Sequence, residues 1–529
     1  MDNNSLFKYI FVIVVILLII FTSYIIVRNS NKGDNIILDQ TSTTNTIQTD
    51  LRFAIAALDT INPILSKNRN VHEITKIIYE PLITLNENFK MQYCLAEEIA
   101  KTDDLTYIVK LRKGVLWHNG ENFTSADVKY TVDIIKGGAS TIYSENLKFV
   151  TGLEVIDNYT VKITLSQPVP FFEYSLTFPI MSQKYYEDED FGTSSKIPVG
   201  TGLFKIATIE SAIIKLIKNE TYWNATLKNP MVKEININLY STIGEVYNAF
   251  KSGDIDILTV KISNVESYIG TIGYTRMEYK TREYDFLAFN TFNQTLSNSN
   301  VRKALSLVLD KNAIVATCLG NGYIASNFSL DMGNWLYTKD LTIQSNTEEA
   351  KQILESDGWV YRNNTWQKNT DGRIVTLTFS ITVNDNNGTR VAVAENIAEQ
   401  FRNFGIHVNV IQVSANRYVD ILNNKEYECI LAGLELGFSP SVNTFFGEGN
   451  IANYSSPEVV DIMNVINNTT EDTVLYEKYS RLYDMYLEEA PYIGLYRTTD
   501  LVICNQSLVG NITPNAFNLY HNIEKWYRQ

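Results

Sequence analysis

Apolar and polar residues alternate in several parts of the chain, and this alternation predicts strands. Residues 107–111 place Tyr, Val and Leu at every second position, and residues 375–383 repeat the pattern with five apolar side chains. A period of two buries one face of a strand and leaves the other face in water. Two further apolar runs, 204–209 and 212–217, are separated by a polar Glu-Ser pair, which predicts a β-hairpin.

Other stretches have the period of a helix. Apolar residues at 301, 304, 305, 308 and 309 share one face of a helix that we expect Asn300 to cap. A second helical stripe, from 394 to 404, stops at Gly405 and is followed by alternating apolar residues over 406–410. A helix, a glycine and a strand in this order are typical of βαβ units. The sequence therefore predicts an α/β fold with a partly parallel sheet.

Length and charge limit the class of protein. A chain of 529 residues is too long for one hydrophobic core, so two or three domains are expected. The 45 Lys and Arg against 59 Asp and Glu give a net charge of −14. This excess of acidic residues argues against a nucleic-acid-binding surface, and no nucleic-acid partner is expected.

The cysteines and histidines lie too far apart in the sequence to form a metal or redox motif. Cys94, Cys318, Cys429 and Cys504 contain no C-x-x-C, and no H-E-x-x-H is present. We interpret the cysteines as small buried apolar residues, and a single disulfide is the alternative. No metal site and no cofactor are predicted.

An uncharged run of 19 residues, 9–27, lies near the amino terminus. As a helix it would reach about 28 Å, enough to cross the hydrocarbon core of a membrane. Signal peptides have an apolar region of roughly 7–15 residues and a small-residue cleavage site, and neither feature fits here. We therefore expect 9–27 to be an uncleaved transmembrane anchor, followed over 28–49 by a polar tether.

A glycine-rich turn precedes the predicted hairpin. Residues 197–205, I-P-V-G-T-G-L-F-K, combine Pro198 with Gly200 and Gly202, and we expect a sharp turn whose backbone angles only glycine adopts readily. A phosphate loop is disfavoured because the glycines do not follow G-x-G-x-x-G. The stretch resembles the P-V-G-T-G-P-F/Y-K turn of the family 5 solute-binding proteins of ABC importers, with Leu203 in place of the usual proline.

Further motifs of that family occur in the same order. Residues 79–83, Y-E-P-L-I, are similar to its Y-E-x-L-v segment, and residues 219–223, N-E-T-Y-W, to its N-x-x-Y-W. Residues 301–314, V-R-K-A-L-S-L-V-L-D-K-N-A-I, resemble V-R-x-A-l-x-x-a-i-D-r-x-x-I. Because the matches run from about Leu51 to Gly510, the chain is identified as a member of this oligopeptide- and dipeptide-binding family.

The resemblance implies a two-lobed, periplasmic-binding-protein-like α/β fold with an extra small subdomain, preceded by the transmembrane helix. The implied divisions are a cytoplasmic tail over 1–8, lobe I over 50–94, 162–282 and 491–529, subdomain II over 95–161, and lobe III over 283–490. Two hinge strands, near 280–286 and 490–495, are expected to join the lobes around a ligand cleft.

Peptide binders of the family place an Asp against the ligand's ammonium group, in a segment like Y-D-x-x-x-x-G-W-x-A-D-Y. The corresponding residues here are 427–438, Y-E-C-I-L-A-G-L-E-L-G-F, with Leu434 in place of the Trp and Gly437 in place of the Asp. Glu435 lies two residues before Gly437, and in an extended strand these positions face the same side. Glu435 is therefore a candidate for the missing carboxylate, and a solvated surface glutamate is the alternative.

The resemblance implies a set of ligand-binding candidates. They are Gly433, Leu434, Glu435, Gly437, Phe438, Asp59, Lys67, Arg69, Tyr143 and Tyr496. A lysine or arginine among them would meet a peptide carboxylate. His118 lies in a turn where relatives carry F/W-x-D-G, so we interpret it as structural and not as a metal ligand.

Together these features predict an extracellular, membrane-anchored substrate-binding protein of an ABC importer. It would capture oligopeptides or similar small solutes by hinge closure, as a monomer, and deliver them to a permease without chemistry. No nucleophile, Walker or zinc-protease motif is present, which fits a binding protein. The alternatives are a tethered ligand sensor, a surface hydrolase, and a cleft that binds oligosaccharides or a metal chelate.

Overall fold

The computed structural model of the protein describes residues 48–529 except 189–190, 192–193, 195, 262–268, 271–272 and 331–332. The transmembrane helix predicted for 9–27 lies outside the described residues, as do the predicted tail and nearly all of the tether. Within the described ranges, no helix has both the length and the apolar character that a bilayer crossing requires.

The strands are numbered in chain order. They are β1 (Asp50–Ala56), β2 (Ile83–Leu85), β3 (Met91–Tyr93), β4 (Ala96–Asp103), β5 (Thr106–Leu111), β6 (Val150–Asp157), β7 (Thr160–Leu165), β8 (Phe204–Ile209), β9 (Ile213–Lys218), β10 (Glu234–Tyr240), β11 (Ile257–Lys261), β12 (Tyr274–Phe289), β13 (Tyr323–Ala325), β14 (Val360–Arg362), β15 (Thr365–Thr370), β16 (Arg373–Thr376), β17 (Thr378–Asn384), β18 (His407–Val413), β19 (Cys429–Glu435), β20 (Tyr492–Asn505), β21 (Leu508–Val509) and β22 (Tyr527–Arg528).

The α-helices are numbered in the same way. They are α1 (Arg69–Thr75), α2 (Ser125–Lys136), α3 (Gln183–Tyr186), α4 (Ile243–Ser252), α5 (Ser299–Val308), α6 (Lys311–Ile314), α7 (Thr347–Ser356), α8 (Gly388–Asn403), α9 (Ala415–Asn424), α10 (Asn443–Phe446), α11 (Pro457–Asn468) and α12 (Asp472–Glu489).

Lobe I is built on a four-stranded sheet in the order β1-β10-β9-β8. Buried and part-exposed residues alternate along β1, where Leu51, Phe53 and Ile55 are fully buried. β8 and β9 pair antiparallel, which confirms the hairpin predicted from the two apolar runs. A second antiparallel sheet, β4-β5-β7-β6, forms the small subdomain with α2. Its apolar residues belong to the same core as those of lobe I, so the subdomain packs on that lobe.

A larger sheet with the order β11-β20-β12-β19-β17-β18, in which β13 also pairs with β20, organises lobe III and extends to β11 at its lobe I end. β17 pairs parallel with both β18 and β19, which confirms the predicted βαβ character. Successive residues of β12 alternate between two cores: Leu287 and Phe289 pack with α5, α7 and α8, whereas Phe286 and Ala288 pack with α11 and α12. The sheet therefore has both faces covered.

The structure decides two local predictions: the residue that caps α5, and whether two cysteines form a disulfide. α5 is capped by Asn298, whose side chain accepts hydrogen bonds from the backbone N–H groups of Asn300 and Val301. The prediction of Asn300 as the cap is therefore wrong by two residues, because Asn300 already lies within the helix. All four cysteines are free, and only Cys318 is not buried, so the disulfide alternative is not realised.

β12 and β20 run side by side from one lobe to the other. In β12, Tyr279 belongs to the lobe I core and Tyr284 to a lobe III core. In β20, Tyr496 belongs to a lobe III core and Val502 to the lobe I core. The two strands are hydrogen-bonded on both sides of this boundary, so one continuous sheet crosses from lobe I to lobe III through this pair.

The strand pair is irregular where it crosses the boundary. Lys280 faces Thr499 and Tyr284 faces Arg497, so three residues of β12 oppose a single residue of β20. Such a bulge bends the strands and leaves extra backbone outside the regular ladder. The predicted hinge at 280–286 contains the bulge. In the predicted hinge at 490–495, Ile493 and Leu495 pack in a core with α5, α7 and α8, and the interruption of the ladder on β20 falls at 497–499.

The glycines of the predicted turn are required by close packing and not by backbone angle. Neither Gly200 nor Gly202 has a positive φ, so the conformational reason given for them is wrong. A Cβ atom on Gly200 would lie 1.9 Å from the backbone oxygen of Ile78, and one on Gly202 would lie 2.7 Å from it. The backbone N–H of Gly202 donates to that same oxygen at 2.8 Å, so the turn lies directly against the Ile78 backbone.

His118 binds the same turn through both ring nitrogens. Its Nδ1 accepts from the backbone N–H of Gly200 at 3.1 Å, and its Nε2 faces the backbone oxygen of Gly202 at 3.0 Å, which makes Nε2 the protonated nitrogen. Burial lowers the pKa of His118 to about 4. Both ring nitrogens are thus engaged by the backbone of the turn, which is the structural role that the sequence predicted for His118.

His118 should make stability depend on pH. Because its folded-state pKa lies below the ordinary value of 6.5, its contribution is complete above about pH 6.5 and decreases as the pH falls toward about 4. The full loss is on the order of 3 kcal/mol, since one pKa unit corresponds to about 1.4 kcal/mol. Denaturant unfolding across this range should show a shallower decline for His118→Gln than for the wild type. His407→Gln, which changes an exposed histidine, should follow the wild type, and equal slopes in all three proteins would contradict the assignment.

A partly buried ion pair ties β12 to α8. The guanidinium of Arg390 donates to both carboxylate oxygens of Asp285, with Nε–Oδ2 and Nη2–Oδ1 distances of 2.7 and 3.0 Å. The hydroxyl of Tyr496 donates to the same carboxylate at 2.8 Å. Gly433 lies opposite Asp285 in the sheet, and a Cβ atom there would lie 1.9 Å from Nη2 of Arg390.

Gly433→Ala should therefore destabilise the fold, because the new methyl group displaces a partly buried ion pair. We expect a loss of about 3 kcal/mol in the free energy of unfolding, measured by denaturant titration. Gly437→Ala is the matched control, since a Cβ atom there meets nothing within 4 Å and φ is not positive. If Gly433→Ala and Gly437→Ala unfold at the same denaturant concentration, the result would contradict the close packing of Arg390 against Gly433.

Candidate functional site

A cavity of about 720 Å³ opens between lobe I, the small subdomain and the end of β19. Lobe I contributes the beginning of α1 and the C-terminal segment at Phe517, and the subdomain contributes the residues around Tyr143. Residues 281–283 of the β12 bulge and residues 437–439 complete its wall. The cavity therefore lies directly at the crossing of the two lobes.

Two carboxylates meet at the lobe III side of this cavity. Glu435, the last residue of β19, is exposed and lies directly opposite Glu283 of β12. Glu283 accepts a hydrogen bond from the Thr498 hydroxyl at 3.2 Å. Within the described part of the chain, no basic group lies within ion-pair distance of either carboxylate. Like charges placed directly across a strand pair repel each other, so this position favours a bound cation.

Basic groups lie on the lobe I side. Lys67 and Lys261 are exposed, line the cavity, and form no ion pair with any described residue. Arg69 is held in place by Asp500 and Tyr279: its Nη1 lies 2.8 Å from a carboxylate oxygen of Asp500, and its Nη2 donates to the Tyr279 hydroxyl at 2.8 Å. The Arg69 side chain remains 53% exposed. Glu73, Glu145 and Asp500 also line the cavity, and each is paired with a basic side chain. The carboxylates without an ion pair among the described residues, Glu283 and Glu435, therefore lie at the end of β19, and the lysines without one lie on the lobe I side.

Arg282 connects the bulge to the loop after β19. Its Nε donates to the backbone oxygen of Leu436 at 3.3 Å, and its Nη2 donates to that of Gly437. The guanidinium lies 5.3 Å from the ring centre of Phe89 and 5.4 Å from that of Phe438. Phe89 belongs to the lobe I core, so this cation–π contact joins residues of both lobes at the cavity edge.

Six of the ten predicted ligand-binding residues line the cavity. These are Lys67, Arg69, Tyr143, Glu435, Gly437 and Phe438. The other four lie outside its wall. Asp59 accepts hydrogen bonds from the Ser66 hydroxyl at 2.7 Å and from the backbone N–H of Lys67 at 2.6 Å, so it shapes the loop before α1.

The remaining three residues have positions inside lobe III. Gly433 and Tyr496 both contact the Asp285–Arg390 ion pair, and Leu434 packs against a lobe III core. In this structure they support the end of β19 and do not reach the cavity. A ligand role for any of the ten remains a prediction. Sequence reasoning missed Arg282 and Glu283, although both lie in the segment predicted as a hinge.

A side chamber of about 330 Å³ adjoins the cavity. The two spaces share five lining residues: His72, Lys76, Tyr143, Thr177 and Phe517. His72 is buried, and neither of its ring nitrogens has a hydrogen-bond partner among the described residues. Burial lowers the pKa of His72, and its ring meets that of Tyr143 edge-on at 6.0 Å. These two rings therefore stand between the cavity and the chamber.

Known proteins resemble the chain over nearly its whole length. It is 25% identical over 495 residues to the oligopeptide-binding protein AppA of Bacillus subtilis, which covers 88% of this chain and 89% of AppA. Among solved structures, the unliganded open form of the murein tripeptide-binding protein MppA matches with a TM-score of 0.76 and 17% identity, over 91% of this chain and 97% of that one. NikZ of Campylobacter jejuni, solved with Ni(L-His), matches with a TM-score of 0.55 and 24% identity, over 91% of this chain and all of NikZ.

The structural matches establish the two-lobed α/β fold that the sequence predicted. The family model described as bacterial extracellular solute-binding proteins, family 5, matches residues 90–451, which is more than half of the chain. Members of this family bind solutes for transporters and are not enzymes, in agreement with the prediction of no catalysis. The chain belongs to the family 5 bacterial extracellular solute-binding proteins.

Proposed function

We propose that the protein binds oligopeptides, or similar small zwitterionic solutes, in the cavity between its lobes and delivers them to an ABC permease. The observation that carries this proposal is the Glu283–Glu435 pair, which faces the cavity without a basic partner in the described chain. Lys67, Lys261 and Arg69 line the same cavity from lobe I. A zwitterion has one charge for each wall, so a peptide ammonium fits the carboxylates and a peptide carboxylate fits the basic groups.

Closure of the lobes is the proposed means of capture. The bulge at residues 281–283 lies where both strands pass from one lobe to the other, and irregular backbone there absorbs changes in φ and ψ. Closing the cavity excludes water, so the ligand's charged groups must be paired by protein groups. Glu283 and Arg282 both belong to this bulge and line the cavity, which supports the proposal that charge recognition and lobe movement use the same segment.

The printed names of relatives support peptides as the ligand class. AppA of Bacillus subtilis is an oligopeptide-binding protein, and MppA binds a murein tripeptide. NikZ carries Ni(L-His) on the same fold, so the fold alone does not select a ligand. The charges of this cavity are the reason for preferring a peptide here.

We further propose that residues 9–27 anchor the protein in the cell membrane with its binding domain outside, as a monomer beside the permease. The uncharged run of 19 residues supports the anchor. Retention of the full chain in the membrane pellet after an alkaline carbonate wash is expected, and its complete release would contradict the anchor.

Glu435→Gln should weaken binding of peptides that carry a free amino terminus. We expect at least a tenfold loss of affinity in isothermal calorimetry, since a charge-assisted hydrogen bond contributes about 1.5–3 kcal/mol. The peptides are chosen from a synthetic tri- to hexapeptide library by thermal stabilisation of the wild type. The N-acetylated form of each chosen peptide should bind wild type and variant equally.

Glu399→Gln is the control, because Glu399 is exposed on α8 and has no ion pair among the described residues. Glu399→Gln should leave the affinity for the free peptide and the affinity for the N-acetylated peptide unchanged. An equal loss for free and acetylated peptides would remove Glu435 from ammonium recognition. If no peptide in the library stabilises the wild type, peptides are the wrong ligand class, and oligosaccharides and metal chelates become the candidates.

A further inference from the structure

The loop between β2 and β3 is fixed by contacts within lobe I. The side-chain oxygen of Asn86 accepts hydrogen bonds from the backbone N–H groups of Asn88 and Lys90, at 3.0 and 2.9 Å. Phe89 belongs to the lobe I core, and its backbone oxygen accepts from the Tyr174 hydroxyl at 3.3 Å. The loop therefore presents Asn88 and Lys90 in fixed positions.

Lobe III contacts this loop through residues that belong to neither β12 nor β20. The backbone N–H of Trp335 donates to the backbone oxygen of Asn88 at 3.0 Å. Nζ of Lys90 forms an ion pair with Asp472, the first residue of α12, and lies 4.7 Å from the ring centre of Trp335. A hydrogen bond, an ion pair and a cation–π contact thus join the two lobes away from the strand crossing.

Each side of this contact is held by its own lobe. Trp335 packs against a lobe III core, and its ring lies edge-on to that of Tyr476 at 5.6 Å. The groups that meet between the lobes are exposed: 39% for the Lys90 side chain and 46% for the Asp472 side chain. An exposed ion pair leaves no buried charge when it separates, so this contact opens and re-forms at little cost.

We propose that Asn88, Lys90, Trp335 and Asp472 form a latch, which favours the closed arrangement of the lobes whether or not a ligand is bound. None of the four belongs to the described lining of the interlobe cavity, so the latch acts on closure and not on the ligand. A contact that favours the binding-competent arrangement raises the affinity for every ligand by the same factor. The latch, which rests on the lobe closure proposed above, therefore controls how strongly the site binds and not which peptide it selects.

Hydrogen exchange of the Trp335 amide, followed by mass spectrometry in the ligand-free full chain, tests the latch. The acceptor of this amide lies on the other lobe, so its hydrogen should exchange when the latch opens. Lys90→Glu places two like charges at the ion pair, and we expect exchange to become about fivefold faster. Asp472→Lys should have the same effect, and the double variant Lys90→Glu/Asp472→Lys should restore the wild-type rate.

Peptide binding supplies a second readout. Lys90→Glu should weaken binding of each peptide from the library by one common factor of about five, whether its amino terminus is free or acetylated. Glu435→Gln is expected to weaken binding of the free form alone, so the two variants separate closure from recognition. A loss in Lys90→Glu that is confined to free peptides would contradict the latch.

Lys339→Glu is the matched control. Nζ of Lys339 lies 2.6 Å from a carboxylate oxygen of Asp484, and the two side chains are 35% and 39% exposed. Both residues lie in lobe III, so this variant removes an ion pair of similar exposure without changing the contact between the lobes. Exchange at Trp335 and peptide affinity should both match the wild type.

Two further results would overturn the proposal. One is an exchange rate at Trp335 that is unchanged in both Lys90→Glu and Asp472→Lys. The other is a double variant that exchanges as fast as the single variants. Neither result needs a ligand, so a library without a binding peptide would overturn the proposed function and leave the exchange test of the latch intact.

Discussion

The hydrogen-bonded pair of β12 and β20 is the constraint on which the rest of the molecule depends. Both strands contribute to the cores of both lobes, so the lobes cannot move apart without deforming this pair. We expect this deformation at residues 281–283, because the hydrogen-bond ladder between β12 and β20 is interrupted there. Residues 281–283 also line the cavity between the lobes, so a ligand held there would contact the segment that has to bend.

A buried carboxylate holds lobe I together behind the cavity. Glu80 accepts hydrogen bonds from the Thr201 hydroxyl at 2.8 Å, the Tyr222 hydroxyl at 2.7 Å and Nε1 of Trp223 at 2.9 Å. Burial raises the pKa of Glu80, and the three donors act against that rise. These contacts join three motifs that are separate in the sequence: the Y-E-P-L-I segment, the glycine turn and the N-E-T-Y-W segment. Their joint presence thus has a physical cause, since each supplies part of one hydrogen-bond network.

The local pattern of apolar and polar residues predicted the helices and strands well. Most of the features that it missed depend on contacts between residues that are distant in the sequence. Gly405 follows the end of α8 with φ at 92°, where the helical stripe from 394 to 404 was predicted to stop. The role of Gly200 was predicted from backbone freedom, but it depends on the backbone of Ile78, which is distant in the sequence. Likewise, nothing in the sequence around Arg282 shows that it lies between Phe89 and Phe438. Which side chains share the cavity is decided by the tertiary fold.

We propose that the two lobes close over a charged peptide at the β12–β20 crossing. Small-angle X-ray scattering of the purified protein, with and without a saturating peptide of calorimetrically measured affinity, tests this most directly. We expect a saturable decrease in the radius of gyration, together with recovery of the unchanged peptide after release. A radius of gyration that stays constant while calorimetry shows full occupancy would contradict it.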